Sequence, residues 1–218
     1  MQTFTPDDLE EDILADLMEE INELYESSEQ TLIELELRPE DNELQRALFR
    51  SIHTIKGDLG LVNFSPMIPL LQHVEDLLDY LRKGQVAYTS TMSDLVLLTM
   101  DRVKAFVEAV MANGKAEYDD NLHNQLVLAI GRVTPENTAE HEKRLTEAVL
   151  LLNPALDIVA DEDDPQNVQI KPPTLAATGI PKDISSEKKQ DILFFRDLMQ
   201  TIERRSNYWS GRGDRIAK

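Results

Sequence analysis

One histidine in this sequence has neighbours of the types that phosphoryl chemistry requires. His53 lies in a long amphipathic segment, and Lys56, Gly57 and Gly60 follow it at three, four and seven residues. On an α-helix these spacings place all four residues on one face. A glycine inside a helix costs about 0.5–1 kcal/mol relative to alanine, so two of them beside one imidazole predict that another molecule approaches it. With the positive charge of Lys56, the set fits a surface nucleophile that receives a phosphoryl group.

The ordinary alternative is a histidine without a chemical role at the edge of a hydrophobic core. Apolar residues of the same segment recur every three or four positions, which predicts a helix with one buried face. They are Leu44, Leu48, Ile52, Ile55, Leu59 and Val62. His53 is one residue off this stripe, and Arg50, one turn earlier, shares its face. We therefore expect a partly exposed imidazole, and the neighbouring lysine and glycines favour the phosphoryl acceptor over the structural histidine.

The charge of the chain restricts its partners. Its 218 residues include 41 acidic and 22 basic side chains, for a net charge of −19. Such a protein repels nucleic acid and anionic membranes, so we expect neither as a partner. The sequence has no cysteine, which excludes disulfides and cysteine-based metal sites. It shows no amino-terminal signal and no apolar run of about 18 residues, and we predict a soluble, cytoplasmic protein.

Most of the chain shows helical periodicity with short connections between segments. Breaks and caps at the segment ends are predicted at Pro39–Asn42, Ser65–Pro66, Gly84, Ser93–Asp94 and Asp119–Asp120. No alternation with a period of two is sustained, so no sheet is predicted. Apolar stripes on helices joined by short loops predict an antiparallel bundle. The expected fold class is all-α, a four-helix bundle with an additional helix.

The residues around His53 resemble the motif of histidine phosphotransfer (HPt) domains, of the kind found at the amino end of chemotaxis-type histidine kinases. The family pattern is His-x-x-Lys-Gly, followed by small residues and a Gly-Phe pair. The matching residues here are His53, Lys56, Gly57, Gly60 and Phe64. A second helix of the family carries a Glu, then Leu-Leu-Asp, and closes in Arg-x-Gly, as residues 75–84 do here. The resemblance covers roughly the first 130 residues and implies an HPt-type bundle.

The sequence departs from the family pattern at several positions. Leu59 stands where the family usually has Ala or Ser, next to the docking face. Asn63 replaces the Gly before the phenylalanine, a mild change because Asn tolerates left-handed backbone geometry. Gln72 stands where chemotaxis-type members often carry a second histidine, and His73 is one residue out of register. Because Gln72 can still hydrogen-bond, these departures leave His53 as the expected nucleophile.

The resemblance implies a role for each residue of the site. Glu75 is expected to accept a hydrogen bond from Nδ1 of His53, which leaves Nε2 as the nucleophile. The spacing places Gln72, Asp76 and Asp79 on the same polar face of the second helix as Glu75, and packing of the two apolar stripes is expected to bring this face beside His53. Lys56 carries a point charge that suits phosphoryl oxygens. The residues expected to form the docking surface for the partner are Arg50, Gly57 and Gly60.

The expected partner is a receiver (response regulator) domain, the ATP-binding domain of a histidine kinase, or both. That partner is expected to supply Mg²⁺ and most of the charge stabilisation. The sequence contains no glycine-rich nucleotide motif, so we predict a carrier that binds no cofactor and does not phosphorylate itself. Its four histidines show no recognisable metal-ligand spacing, and we predict no metal site.

The organisation of the chain changes after the bundle. We predict the HPt bundle over residues 1–133, an additional helix over 134–152, a linker over 153–184 and a carboxy-terminal helix over 185–218. Prolines and a run of acids favour the linker. The final segment weakly resembles the opening of an HD-type phosphohydrolase domain, which predicts that the chain is a fragment, or a truncated relative, of a longer protein.

Two other functions are compatible with these residues. One is a helical adaptor that keeps the phosphotransfer fold and docks receiver domains without transferring phosphate, which Leu59 and the shifted His73 favour. The other is a regulatory module on a phosphohydrolase whose catalytic part lies beyond Lys218.

Overall fold

The first part of the chain is a bundle of helices, as the sequence predicts. The computed structural model describes residues 1–6, 10–154, 157–161 and 164–171, and the chain divides into two units, residues 1–152 and 153–218. The α-helices of the first unit are α1 Glu11–Leu37, α2 Asn42–Leu61, α3 Ile68–Arg82, α4 Ser90–Asn113, α5 Asp120–Ile130 and α6 His141–Leu152. A 3₁₀ helix, Pro135–Glu140, leads into α6. In the ranges just given, no helix is both long and apolar enough to cross a membrane.

The predicted apolar stripes form the core of the bundle. α2 packs against α1 and α3, while α4 packs against α1 and α6. On α2, Leu48, Ile52, Ile55 and Leu59 are each no more than 1% exposed. Burying one such side chain contributes about 1.5–3 kcal/mol. Because the stripes of α2 and α3 are buried against each other, residues one position off the two stripes meet at the rim between these helices.

The amino-terminal cap of α2 was predicted correctly from the local sequence, and that of α4 was not. α2 begins as predicted, with the Asp41 side chain accepting hydrogen bonds from the backbone N–H groups of Glu43 and Leu44. The cap predicted for α4 at Ser93–Asp94 is wrong, because the helix begins at Ser90 and Thr89 is its cap. Ser93 is fully buried and donates a hydrogen bond to Glu36 on α1, a contact 57 residues away that local sequence does not reveal.

The expectation that the chain contains no sheet is also wrong. Strand β1, Gln2–Phe4, pairs antiparallel with β2, Ala116–Tyr118, so that Gln2 lies opposite Tyr118. Three residues are too few to display a period of two, which explains why the pattern gave no signal. The pairing carries the Phe4 ring to 5.1 Å from that of Phe64 and 5.4 Å from that of Phe106, measured between centroids.

The second unit contains strands where the sequence predicted only a linker. β3, Asp157–Asp161, pairs antiparallel with β4, Asp164–Lys171, inside the segment predicted as the linker 153–184. The prolines and acidic residues of this segment are typical of a linker, although apolar and polar residues alternate briefly in β4. The predicted helix over 185–218, and with it the HD-type resemblance, lies outside the described residues.

A buried histidine on α5 predicts that the fold is sensitive to acid. His123 is 5% exposed, and within the part of the chain that the structure describes neither ring nitrogen has a hydrogen-bond partner. Burial, and secondarily the Arg102 guanidinium, hold the pKa of His123 below its ordinary value of 6.5. The unfolded chain therefore takes up a proton at a higher pH than the folded one, so stability falls as the pH drops below about 6.5.

We expect His123→Leu to lose less stability than the wild type between about pH 7.5 and 5.5, a window set by the unperturbed histidine pKa. Urea unfolding followed by circular dichroism at several pH values measures the difference. His73→Leu is the control, because His73 is partly exposed and has Asp76 nearby. Equal pH dependence of stability in the wild type and His123→Leu would show that His123 does not cause the loss of stability in acid.

Candidate functional site

Helices α2 and α3 bring the candidate nucleophile and a carboxylate together at their shared rim. His53 directly follows Ile52 on α2, and Glu75 directly follows Val74 on α3; Ile52 and Val74 are fully buried. The two polar side chains therefore both lie one position off a core stripe. Their exposure differs, since 61% of the His53 side chain is accessible and only 11% of that of Glu75. The imidazole faces outward from a carboxylate that is largely covered.

The contact that the resemblance implied between these residues is present. Nδ1 of His53 lies 3.2 Å from Oε2 of Glu75. An ionised carboxylate can only accept hydrogen bonds, so the proton of the neutral imidazole belongs on Nδ1. The lone pair of Nε2 is then free on an exposed ring, which is the arrangement that a nitrogen nucleophile requires.

A lysine shares the same carboxylate oxygen. Nζ of Lys56 lies 2.8 Å from Oε2 of Glu75 and also donates to Oε1 of Gln72 at 2.8 Å. Gln72 in turn donates from Nε2 to Oδ1 of Asp76 at 2.8 Å, which orients its carbonyl oxygen towards the lysine. Lys56 is only 17% exposed. The ammonium group is thus held next to His53 by acceptors on α3.

This network refines the expectation for the polar face of α3. The sequence placed Gln72, Glu75, Asp76 and Asp79 beside His53 as a group, yet only Glu75 contacts the ring. Gln72 contacts Lys56, and Asp79 pairs with Arg82 and Lys83 near the end of α3, with the Nζ of Lys83 2.5 Å from Oδ2. These hydrogen bonds, that from Lys83 above all, hold the pKa of Asp79 below its ordinary value.

Phe49 and Arg82, which the sequence did not predict as site residues, form a series of contacts next to the imidazole. The Phe49 ring stacks on that of His53, with 5.8 Å between centroids and 13° between planes. The Arg82 guanidinium carbon lies 3.9 Å from the centroid of the Phe49 ring. Phe49 precedes His53 by four residues, a helical spacing that brings side chains into contact and was available as a signal. Arg82 follows from no local spacing, because it lies on the other helix.

The two glycines next to His53 are not required by the fold. Gly57 and Gly60 are exposed, and a Cβ atom built on either would meet nothing within 4 Å. Neither internal crowding nor an unusual backbone angle requires glycine at either position. Arg50 is exposed as well, whereas Leu59 is fully buried in the core. The presence of leucine at position 59, where the family usually has Ala or Ser, therefore does not alter the exposed surface around His53.

The described residues contain no group of three or more histidine, aspartate or glutamate side chains arranged to hold a metal ion. What the site offers is an oriented imidazole, a largely covered carboxylate and a held ammonium group.

Comparison with known proteins identifies the bundle. Residues 12–111 match the family model described as "Hpt domain". The chain is 33% identical over 145 residues to the "Sensor histidine kinase CheAY" of Helicobacter pylori. The aligned region covers 65% of this chain and 18% of that protein. The chain is 33% identical over 109 residues to the "Chemotaxis protein CheA" of Halobacterium salinarum, which covers 50% of this chain and 16% of the relative.

Among solved structures, the "CheA phosphotransferase domain from Thermotoga maritima" aligns with a TM-score of 0.45 and 32% identity, covering 47% of this chain and 97% of that one.

The helical bundle with its exposed, carboxylate-bound histidine is of the histidine phosphotransfer class. Residues 12–111 form a domain of this class, as their match to the Hpt domain model shows. It spans less than a fifth of the length of the two curated relatives described above.

Proposed function

We propose that this protein is a phosphorelay carrier in two-component signalling. His53 accepts a phosphoryl group from a histidine kinase or a phosphorylated receiver domain and passes it to a receiver-domain aspartate. The observation that carries the proposal is the 61% exposed His53 ring whose Nδ1 is bound by Glu75, inside the segment that matches the Hpt domain family.

The transfer follows from the tautomer that Glu75 selects. The Nε2 lone pair of His53 forms a bond to phosphorus while the bond from phosphorus to the donor oxygen breaks, and the electron pair leaves with that oxygen. The proton stays on Nδ1, where the hydrogen bond to Glu75 compensates the positive charge that develops on the ring. In the onward step the P–N bond breaks, its electron pair returns to Nε2, and an aspartate oxygen of the receiver binds phosphorus.

Lys56 balances the negative charge that arrives with the phosphoryl group. Its Nζ already lies 2.8 Å from the Glu75 oxygen that binds His53, so its charge is close to the reacting ring. A lysine ammonium is a compact point charge with three donors, which allows one of them to turn to a phosphoryl oxygen. Mg²⁺ and most of the remaining charge stabilisation belong to the partner domain.

A labelling experiment tests the proposal. The purified chain is incubated with Mg²⁺ and a panel of receiver domains phosphorylated with a labelled acyl phosphate, and separately with a histidine kinase catalytic domain and labelled ATP. We expect acid-labile, base-stable phosphate on His53, located by mass spectrometry, and none with ATP alone. Absence of label from donors that label another Hpt domain in parallel would overturn the proposal.

Replacing Gly57 with leucine separates the carrier from the docking adaptor. A Cβ atom at this position meets nothing within 4 Å, so we expect the helix to be retained, but the leucine side chain would obstruct any domain that approaches His53. Displacing a reactant by about 1 Å can reduce a rate about 100-fold, and we expect a loss of at least tenfold in the rate of label transfer together with weaker receiver binding. Stopped-flow transfer and calorimetric binding measure the two effects.

Ala112→Leu is the matched control, since it adds a bulk only one carbon smaller at an exposed position of α4 and should change neither quantity. An adaptor without transfer would show receiver binding that Gly57→Leu weakens, but no label on the wild-type protein. Unchanged transfer and binding in Gly57→Leu would remove the docking role of this face.

A further inference from the structure

A short column of side chains runs from the end of α3 to the candidate nucleophile. The Arg82 guanidinium lies over one face of the Phe49 ring, 3.9 Å from its centroid, and that ring is stacked on the His53 imidazole. Arg82 belongs to α3, whereas Phe49 and His53 belong to α2. The column therefore links two helices at the site of the proposed transfer.

The imidazole needs a second constraint beyond its hydrogen bond. The bond from Nδ1 to Glu75 fixes the position of one atom, but a ring can still turn about such a contact. Most of the His53 side chain is exposed, so few neighbours limit that rotation. An aromatic ring lying nearly parallel, 13° from the imidazole plane, restricts the tilt of the plane and with it the direction of the Nε2 lone pair.

The Phe49 ring is in turn held by Arg82. A guanidinium over an aromatic face is attracted by the electron density of the ring. Arg82 is itself restrained by Asp79, whose Oδ1 lies 2.8 Å from Nε and 2.5 Å from Nη2. The backbone carbonyl of Arg82 also accepts a hydrogen bond from Asn42 at the start of α2. These contacts restrain the guanidinium group that lies over the Phe49 ring.

We propose that Phe49 and Arg82 are positioning residues that fix the plane of the His53 imidazole for phosphoryl transfer. The rate part of this inference rests on the proposed carrier function. Neither residue touches the phosphoryl group; both act through the orientation of His53. In-line attack on phosphorus depends on that orientation, because the lone pair must point along the bond that forms.

Substitutions at Phe49 test the first half of the column. Phe49→Leu keeps an apolar side chain but removes the flat surface, and Phe49→Tyr keeps the ring. We expect Phe49→Leu to lower the maximal transfer rate about three- to tenfold, a factor that corresponds to the free energy contributed by an aromatic pair. The half-saturating donor concentration should be unchanged. The order parameter of the His53 Cε1–H bond, from ¹³C relaxation, should fall in Phe49→Leu, and Phe49→Tyr should restore both values.

Arg82 and Lys83 provide a matched pair for the second half. Both pair with Asp79, but only Arg82 lies over the Phe49 ring. We expect Arg82→Gln to lower the His53 order parameter and the transfer rate, and Lys83→Gln to leave both unchanged. Thermal unfolding of every variant separates these effects from a loss of the fold. Equal effects of the two substitutions would overturn the role of Arg82.

The two measurements separate this inference from the function on which it rests. If the wild-type chain accepts label and Phe49→Leu matches it in rate and in His53 order, the positioning role is refuted while the carrier function stands. If the wild type accepts no label but its His53 ring loosens in Phe49→Leu and not in Phe49→Tyr, the carrier function fails while the effect of the column on the ring is upheld.

Discussion

Replacing His53 with glutamine is expected to remove all acid-labile phosphate from the protein. The imidazole ring is the acceptor, and an amide nitrogen has no available lone pair with which to attack phosphorus. Glutamine is a good helix former and the side chain is 61% exposed, so we expect stability to change by no more than about 0.5 kcal/mol. Filter binding of labelled protein after acid and base treatment measures the phosphate.

The matched control for this substitution is His73→Gln, which changes the histidine next along the chain. His73 lies on α3, is 33% exposed and is near Asp76, so it should not affect the label. The interpretation fails if His53→Gln retains acid-labile phosphate while its circular dichroism spectrum matches the wild type, since another residue would then be the acceptor.

The second large effect is expected from Glu75→Gln. An amide can donate where a carboxylate can only accept, so glutamine can turn its NH₂ group towards Nδ1 of His53. That contact favours the tautomer with the proton on Nε2, the atom that must attack. Where a catalytic histidine is held by a carboxylate, the corresponding amide substitution lowers the rate about 10⁴-fold, and we expect at least a 100-fold loss of transfer here.

Two measurements distinguish the tautomer effect from a general disturbance of the site. ¹⁵N chemical shifts of the His53 ring report which nitrogen carries the proton and should show Nδ1–H in the wild type and Nε2–H in Glu75→Gln. Asp76→Asn is the control, because it neutralises the next carboxylate on α3, which bonds Gln72 and not the ring. A transfer rate in Glu75→Gln within a few-fold of the wild type would show that the carboxylate does not select the tautomer.

Local pattern accounts for the helices and for the position of His53 on one of them. The apolar stripe of α2 predicted a buried face, and its members Ile52, Ile55 and Leu59 are no more than 1% exposed. The Asp41 cap followed from residue type alone. A period of three to four residues is a property of neighbours in sequence, which explains why these features could be predicted without knowledge of the packing.

Features that depend on a contact with another element could not be predicted from local periodicity and residue type. Ser93 looked like a cap because nothing in the sequence showed that its hydroxyl binds Glu36 on α1. The strands β1 and β2 pair across more than a hundred residues, and each is too short to reveal itself. Within α3, Gln72 shared a predicted face with Glu75, but the packing of α2 against α3 placed Gln72 beside Lys56 and Glu75 beside both Lys56 and His53.

The sequence by itself determined that this chain folds into a helical bundle with one exposed histidine beside a lysine and two glycines, because helical periodicity and glycine placement are local. The family resemblance already indicated Glu75 as the acceptor for Nδ1, but only the tertiary structure decided which groups hold Lys56, and that Arg82 lies over the Phe49 ring that stacks on His53. Those contacts depend on the register between α2 and α3, and register is set by how two buried stripes interlock, which neither helix specifies alone.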